Sequence, residues 1–183
     1  MGLAWFGTEN AMHIRRATSN DAGALAKVHI DSWRSAYRGL VPDAHLESLD
    51  CERRAQRFRE SLGGNAGETH VAEQDGEVLG FLTLGACRDT DADQKATGEI
   101  WGIYLAPAHW RKGIGSLLCR YGEQRLRLRG YVAATLWVFA GNGPARRFYE
   151  AMGFKSDGAS KTLNPGAPLE AVRYRKELGD AEK

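Results

Sequence analysis

Apolar positions change period several times along the chain, and each change marks an element. Met12-His13-Ile14-Arg15-Arg16 reads as a short first strand. Ala22, Ala26, His29, Trp33 and Tyr37 then recur near one face at helical spacing until Gly39 breaks the run, and Ser19 is expected to cap a helix starting at Asp21. A second helix is predicted from Asp50 to Leu62, closed by Gly63-Gly64. Thr69 to Glu73 and Val78 to Leu84 are strand-like runs on either side of Asp75-Gly76, the pattern of a hairpin. Residues 86–97 form a polar loop, and Glu99 to Leu105 is a strand stopped by Pro107. From Gly113 to Arg129 a helix is predicted, with Ile114, Leu117, Leu118 and Tyr121 on one face. Ala133 to Phe139 is nearly all apolar, which predicts a strand buried on both faces. Pro144 opens a short helix that Asn142 is placed to cap and Gly153 to end, with Ala145, Phe148, Tyr149 and Met152 on its apolar face. Two more strands are predicted, around Ser160 and from Ala171 to Leu178.

The order β-αα-βββ-αβα-ββ contains one strand–helix–strand crossover. It predicts a mixed α/β sheet in which the crossover strands are parallel and adjacent. The chain of 183 residues fits one domain, expected over 12–178, with residues 1–11 as a loose leader and 179–183 as a tail.

Composition removes several classes. Hydrophobic residues make up 43% and charged residues 26%, as in ordinary soluble proteins. No run of apolar residues is long enough for a membrane helix, and MGLAWFGTENAM has neither the basic start nor the apolar centre of a signal peptide. Phe6 stands where a myristoylation signal needs Ser or Thr. Cys51, Cys87 and Cys119 are odd in number and widely spaced, which predicts reduced thiols and a cytoplasmic location. No zinc-ligand spacing occurs. Asp89, Asp91 and Asp93 begin like a calcium loop, but Gln94 and Ile100 stand where Gly and Glu are needed, so no metal is expected. Those acids read as a solvated loop or as an attraction for a cationic acceptor. The net charge of +2 supports no claim on nucleic acid. It hides an asymmetry: residues 1–100 hold 11 Lys and Arg against 16 Asp and Glu, and residues 101–183 hold 14 against 7. The basic second half points to a phosphate-bearing ligand or is a chance distribution of solvated side chains.

The stretch Pro107-Ala-His-Trp110-Arg111-Lys112-Gly113-Ile114-Gly115-Ser116 joins a strand to a helix start. Gly113 and Gly115 let backbone N–H groups approach a ligand, the helix start adds unpaired donors, and Arg111 and Lys112 add charge, a combination that favours a pyrophosphate. A P-loop fails because Lys112 precedes Gly113, and a dinucleotide fingerprint fails because Leu118 fills the third glycine position. The pyrophosphate loop of acetyl-coenzyme A (acetyl-CoA) enzymes and a plain tight turn remain.

Glu99-Ile-Trp-Gly-Ile-Tyr-Leu-Ala-Pro107 running into Arg111-Lys-Gly113-Ile-Gly115-Ser resembles the central motif of the GNAT superfamily of N-acetyltransferases. Asn142-Gly-Pro-Ala145-Arg-Arg-Phe148-Tyr149-Glu150-Ala-Met-Gly153-Phe154 resembles its second motif, at the usual separation. Trp33-Arg-Ser-Ala-Tyr37-Arg-Gly39 and Leu136-Trp137-Val138 resemble small stand-alone bacterial members. Trp110 departs from the family pattern, which has Gln or Arg there, and that puts any contact from this side chain in doubt.

The resemblance implies a mostly antiparallel sheet of six to seven strands with a parallel central pair splayed around the cofactor, flanked by about four helices. Acetyl-CoA, as co-substrate, would lie in the splay, paired with the backbone of Ile103, Tyr104 and Leu105. The Leu105 N–H would meet the developing oxyanion. Backbone and side chains of Arg111, Lys112, Gly113, Ile114, Gly115 and Ser116 would hold the pyrophosphate. Asn142 reads as a helix cap, a cofactor contact, or both. Tyr149 is a core tyrosine by position, and by resemblance the general acid that protonates the departing thiolate. Glu99 is a solvated strand-end residue or the general base for an amine that is mostly protonated at neutral pH. Trp33 and Tyr37 line the acceptor pocket or, for Trp33, pack in the core. His29 reads as structural and His109 as a loop residue beside the phosphate site. Neither Cys87 nor Cys119 has an evident His or Asp partner, which favours direct attack by a primary amine in a ternary complex. A non-catalytic acyl-CoA sensor and a nucleotide-binding protein are the alternatives, and a homodimer through the tail strands is open.

Overall fold

A computed structural model describes residues 11–179, so nearly all of the expected leader and tail lie outside the described residues. The chain runs β1 (His13–Arg16), α1 (Ala22–Ala36), α2 (Asp43–Glu47), α3 (Cys51–Leu62), β2 (Gly67–Gln74), β3 (Glu77–Ala86), β4 (Thr97–Leu105), α4 (Ile114–Leu128), β5 (Ala133–Phe139), α5 (Gly143–Ala151), β6 (Lys155–Leu163) and β7 (Leu169–Glu177). The β2–β3 hairpin turns at Asp75 and Gly76, both left-handed (φ 52 and 78), the combination that matches the strands' own twist. Asp50 caps α3 by accepting from the Arg53 N–H at 2.7 Å, and Asn142 caps α5 by accepting from the Ala145 N–H at 3.2 Å.

Two local expectations need correction. Ser19 does not cap the first helix; it lies inside a 3-10 turn (Ser19–Asp21) that precedes α1. The Asp21 carboxylate reaches back to accept from the Thr18 N–H at 2.7 Å and is held by Arg15 at 2.8 and 2.9 Å. A partner six residues earlier, on β1, thus decides the helix entry. The short α2 is an addition, too brief to leave a periodic signal.

One seven-stranded sheet has the order β1-β2-β3-β4-β5-β7-β6. Every neighbouring pair is antiparallel except β4–β5, which is the predicted parallel crossover pair. That pair holds only over Thr97–Glu99 and Ala133–Thr135; beyond it the strands diverge. β4 stays paired to β3 as far as Leu105. Trp101 is an extra residue between the pairs Leu84–Ile100 and Thr83–Gly102. This bulge shifts the side-chain alternation of β4 next to the opening.

The two faces carry separate cores. Leu82, Leu84, Ile100 and Leu136 pack with Leu118, Leu126 and Phe154 on the α4–α5 face. On the other face Leu25 and Val28 of α1 pack with Val71 and Phe81, joined by Phe58, Leu62 and Tyr104. Among the described residues no helix is long and apolar enough to cross a membrane.

Candidate active site

The opening between β4 and β5 exposes one edge of β4. Ala106 N–H donates to Leu79 O on the β3 side at 2.9 Å. Backbone groups alternate along an extended strand, so the N–H groups of Leu105 and Ile103 turn to the opposite edge, toward the opening. The Leu105 carbonyl shares that edge and accepts from Trp110 Nε1 at 2.9 Å. The side chain that departs from the family motif therefore ties the loop to the end of β4 and leaves the Leu105 N–H for a ligand.

The loop that follows is a cradle. Arg111 has φ 60 and Gly113 φ 83, so two left-handed residues flank Lys112 and turn successive N–H groups inward. A left-handed arginine is a strained choice, of the kind found at ligand sites. Gly113 opens α4 without a side-chain cap, and a Cβ built there would meet nothing within 4 Å. At Gly115 a Cβ would come within 3.3 Å of Leu105 and 3.5 Å of the Phe148 ring, so this glycine lets α4 pack close to β4 and α5. Arg111 and Lys112 are exposed, Ser116 is half-buried and Ile114 is buried, so Ile114 contributes backbone alone. Unpaired N–H groups, a helix start and two cations in open space fit the pyrophosphate of coenzyme A.

Tyr149 is buried on α5, with its ring centroid 5.1 Å from Phe148 and 6.0 Å from Phe154. Burial pushes its phenol far above the usual range, and the neighbouring Cys119, Tyr37 and Tyr104 push the same way. Tyr37 and Tyr104 are raised as well, in both cases first by burial. Three phenols from the end of α1, from β4 and from α5 are thus gathered near one point and stay protonated at neutral pH. Asn142 is buried; besides capping α5, it acts on the Tyr37 phenol against the effect of burial.

Trp33 and Tyr37 stand together as expected, with ring centroids 4.7 Å apart, and Phe139 at the end of β5 closes on both at 6.2 and 5.2 Å. His29 stacks on Trp33 at 5.4 Å and lies 4.6 Å from Tyr104. Desolvation, helped by Arg54, lowers the His29 pKa to about 3, so the ring is neutral at physiological pH. Among the described residues His29 Nδ1 is buried without a hydrogen-bond partner, and Trp33 Nε1, also buried, is turned toward the Tyr104 hydroxyl. The Tyr104 side chain belongs to this wall, a role beyond the backbone contact expected from sequence.

Glu99 is not a solvated strand end: it is 1% exposed. Oε2 accepts from the Arg88 backbone N–H at 3.0 Å and from Arg88 Nε at 3.1 Å, while Arg88 Nη2 donates to Oε1. The guanidinium lies 4.6 Å over the Trp101 ring, and the Arg88 side chain is 57% exposed. Both carboxylate oxygens are covered by a removable partner. Nothing in the sequence marks Arg88, because the pairing crosses a loop and a strand.

Of the acids in the 86–97 loop, Asp91 and Asp93 are exposed, as a solvated loop predicts, whereas Asp89 is withdrawn from solvent. Asp89 accepts from Trp137 Nε1 at 2.9 Å, and Arg173 binds Asp91 at 2.7 and 2.8 Å and Asp157 at 2.6 Å. Cys87 Sγ stands 3.9 Å from Asp89, a nearer acid than the sequence suggested. Cys119 is buried beside Glu123, and burial pushes its thiol up to about 12. The Cys119 environment does not make a nucleophile. Among the described residues no group of His, Cys, Asp and Glu could hold a metal ion.

Residues 30–154 match the family model described as acetyltransferase (GNAT) family. Uncharacterized N-acetyltransferase YuaI of Bacillus subtilis (strain 168) is 33% identical over 140 residues, covering 75% of this chain and 77% of the relative. The chain belongs to the GNAT acetyltransferase family. Acetyl transfer from acetyl-CoA is the chemistry that GNAT membership assigns to it. The GNAT fold recurs in the PaiA N-acetyltransferase of Thermoplasma acidophilum, solved in complex with coenzyme A (TM-score 0.74, 22% identity, 91% of this chain and 99% of that one). It recurs also in YncA of Salmonella typhimurium, a putative acetyltransferase solved with its cofactor acetyl-CoA (TM-score 0.68, 22% identity, 94% and 97%).

Proposed function

We propose that residues 12–178 act as a single catalytic domain that acetylates a primary amine by direct attack within a ternary complex. The observation that carries this reading is the open edge of β4: the Leu105 N–H faces a gap that runs on to the left-handed Arg111–Gly113 cradle. Acetyl-CoA supplies the activated acetyl group; every other function falls to the chain. The backbone of Ile103, Tyr104 and Leu105 aligns the donor as an added strand would, and the Leu105 N–H stabilises charge on the acetyl oxygen. Arg111, Lys112, Gly113, Ile114, Gly115 and Ser116 bind the pyrophosphate, and Asn142 holds the start of α5 beside it. Tyr149 is a phenol kept protonated by burial and gives its proton to the departing sulfur. Glu99 receives the amine proton through water when the exposed Arg88 fork releases one oxygen. Trp33 and Tyr37 form part of the acceptor wall.

We place this activity in a bacterial cytoplasm, with three free cysteines in support, and with neither nucleic acid nor membrane as partner. The exposed edge strand β6 is the candidate seam of a homodimer.

Thiol release from acetyl-CoA across a panel of amines and peptides, beside calorimetry of coenzyme A binding, tests the reading. Binding together with amine-dependent release is expected. Tight binding with no release for any acceptor would overturn catalysis, and absence of binding would overturn the whole assignment.

A further inference from the structure

Residues 87–96 connect β3 to β4 and carry Arg88, whose backbone and side chain cover Glu99. Backbone bonds tie the ends of this loop: Cys87 N–H donates to Thr97 O at 3.2 Å, and Thr97 N–H to Asp93 O at 2.8 Å. The stretch from Arg88 to Asp91 is held chiefly by side chains of the sheet. The main holder is Arg173 of β7, 9% exposed and opposite Trp137 of β5 in the antiparallel register. All three of its side-chain nitrogens are engaged. Nε donates to Asp157 of β6 at 2.6 Å, Nη2 to Asp91 at 2.8 Å, and Nη1 to Asp91 at 2.7 Å and Asp89 at 3.3 Å. Trp137 Nε1 fixes Asp89 a second time, at 2.9 Å.

Consecutive residues of the loop thus reach different strands. Arg88 grips Glu99 on β4, and Asp89 grips β5 and β7. Glu99 and Thr135 form the last parallel pair before β4 and β5 part. Trp137 stands two residues beyond Thr135 on the same face, about 7 Å along the strand. The loop therefore crosses the sheet at the mouth of the gap. A buried guanidinium bonded to three carboxylates is a fixed post, unlike a solvated surface pair. Without it, Asp89, Asp91 and Asp157 would surround one point with Lys161, 3.7 Å from Asp89, as their remaining ion-pair partner. Like charges so close repel, and the loop can yield more easily than the paired strands.

We infer that Arg173 is a positioning residue for acetyl transfer: through Asp89 and Asp91 it sets where Arg88 meets Glu99. Its effect falls on the orientation of a carboxylate that it does not touch. With Arg88 seated, the backbone N–H and Nε both hold Oε2, and Oε1 is left to the Nη2 contact alone. One oxygen is thereby fixed while the other can be uncovered. This inference rests on the proposed function for the role of Glu99 as receiver of the amine proton.

The test separates position from turnover. Arg173→Gln removes charge and fork, and Arg173→Lys keeps the charge without the fork. Asp91→Asn alters only an exposed loop residue that Arg173 holds, and it serves if the glutamine variant folds poorly. In isotope-labelled protein, the amide resonance of Arg88 is expected to shift and its hydrogen to exchange faster in Arg173→Gln, with smaller changes in the other two variants. In thiol release, kcat of Arg173→Gln is expected to fall ~10-fold with KM for acetyl-CoA within about twofold of wild type, a size typical of coupling within one network. The same substitution made on top of Arg88→Ala is expected to cost less than about threefold, because the link it acts through is already gone. An Arg88 resonance that stays in place, a folded Arg173→Gln protein with wild-type kcat, or a full ~10-fold loss on top of Arg88→Ala would each overturn the inference. If the wild type releases no thiol with any amine, the proposed function fails and takes the catalytic part of the inference with it, while the Arg88 resonance still decides whether Arg173 seats that residue.

Discussion

Removing one oxygen from Tyr149 tests the proposed chemistry most directly. In Tyr149→Phe the ring keeps its neighbours Phe148 and Phe154, and among the described residues no hydrogen bond of its hydroxyl is lost, so the fold is expected to keep its stability to within about 1 kcal/mol. The kinetic effect is larger, and its size follows from the environment. General acids typically contribute ~10²–10⁴-fold, most when their pKa lies near the working pH. Burial holds this phenol well above its ordinary value. It is therefore a much weaker acid than a thiol, whose reference pKa is about 8.5. Proton transfer to the sulfur is uphill, which places the contribution at the low end, ~10²-fold or about 3 kcal/mol of barrier. Thiol release under saturating acetyl-CoA measures it, with calorimetry confirming that coenzyme A affinity stays near wild type. Because the phenol stays protonated, the rate should rise through pH 9 as the amine loses its proton, without an alkaline limb from Tyr149. A kcat within about threefold of wild type, less than 1 kcal/mol of barrier, would refute the assignment.

Glu99→Gln is expected to slow turnover at neutral pH. Arg88→Ala removes the guanidinium from both Glu99 oxygens and leaves only the backbone N–H, so turnover should change with it; turnover indifferent to both changes would remove Glu99 from the proton path. Gly113→Ala forces a side chain into a left-handed position (φ 83), which costs about 1–2 kcal/mol. Coenzyme A affinity should drop with it, and unchanged affinity in calorimetry would mean that the cradle is not the pyrophosphate site. Stability should also fall on both sides of neutrality. His29 is depressed to about 3 when folded. Below its unfolded value of about 6.5 the unfolded chain therefore binds a proton that the native chain does not, and stability declines from there down to about pH 3, by at most ~5 kcal/mol. Tyr37, Tyr104 and Tyr149 are raised in the fold. Stability is full below their unfolded value of about 10 and is lost as pH climbs past it. Denaturant titrations across pH read both limbs, and His29→Gln should remove the His29 part of the acid one.

Local rules carried most of the fold. The hairpin at Asp75-Gly76, the apolar β5 and the Asn142–Pro144 helix start depend on residues adjacent in sequence, and all three stand where periodicity and turn chemistry put them. The entry to α1 did not, because Arg15 and Asp21 arrange it through a contact that no pattern encodes. The donor cradle was legible for the same reason as the hairpin: two glycines, two cations and a helix start are contiguous. The acceptor side was only half legible. Trp33 and Tyr37 share a helical face and could be named together. Phe139 and Tyr104 arrive from two other segments, and only packing brings them to this face; Arg88 likewise reaches Glu99 only through the fold. Trp110 shows the limit of motif reading, since its indole takes up a structural duty that a different residue type in the motif would not suggest.

The β4–β5 pairing spans three residues of each strand before the two part. The sheet behaves like a book whose leaves are stitched at one short spine, with β1–β4 on one leaf and β5, β7 and β6 on the other. The loop proposed to grip the diphosphate grows from the end of the first leaf, whereas the aromatic rings proposed to meet the second reagent are shared between leaves. On that proposal, residues at the meeting line could be exchanged for new acceptors while the thioester carrier keeps its seat, and a slight change in the angle between leaves would alter which amine reaches the acetyl carbon.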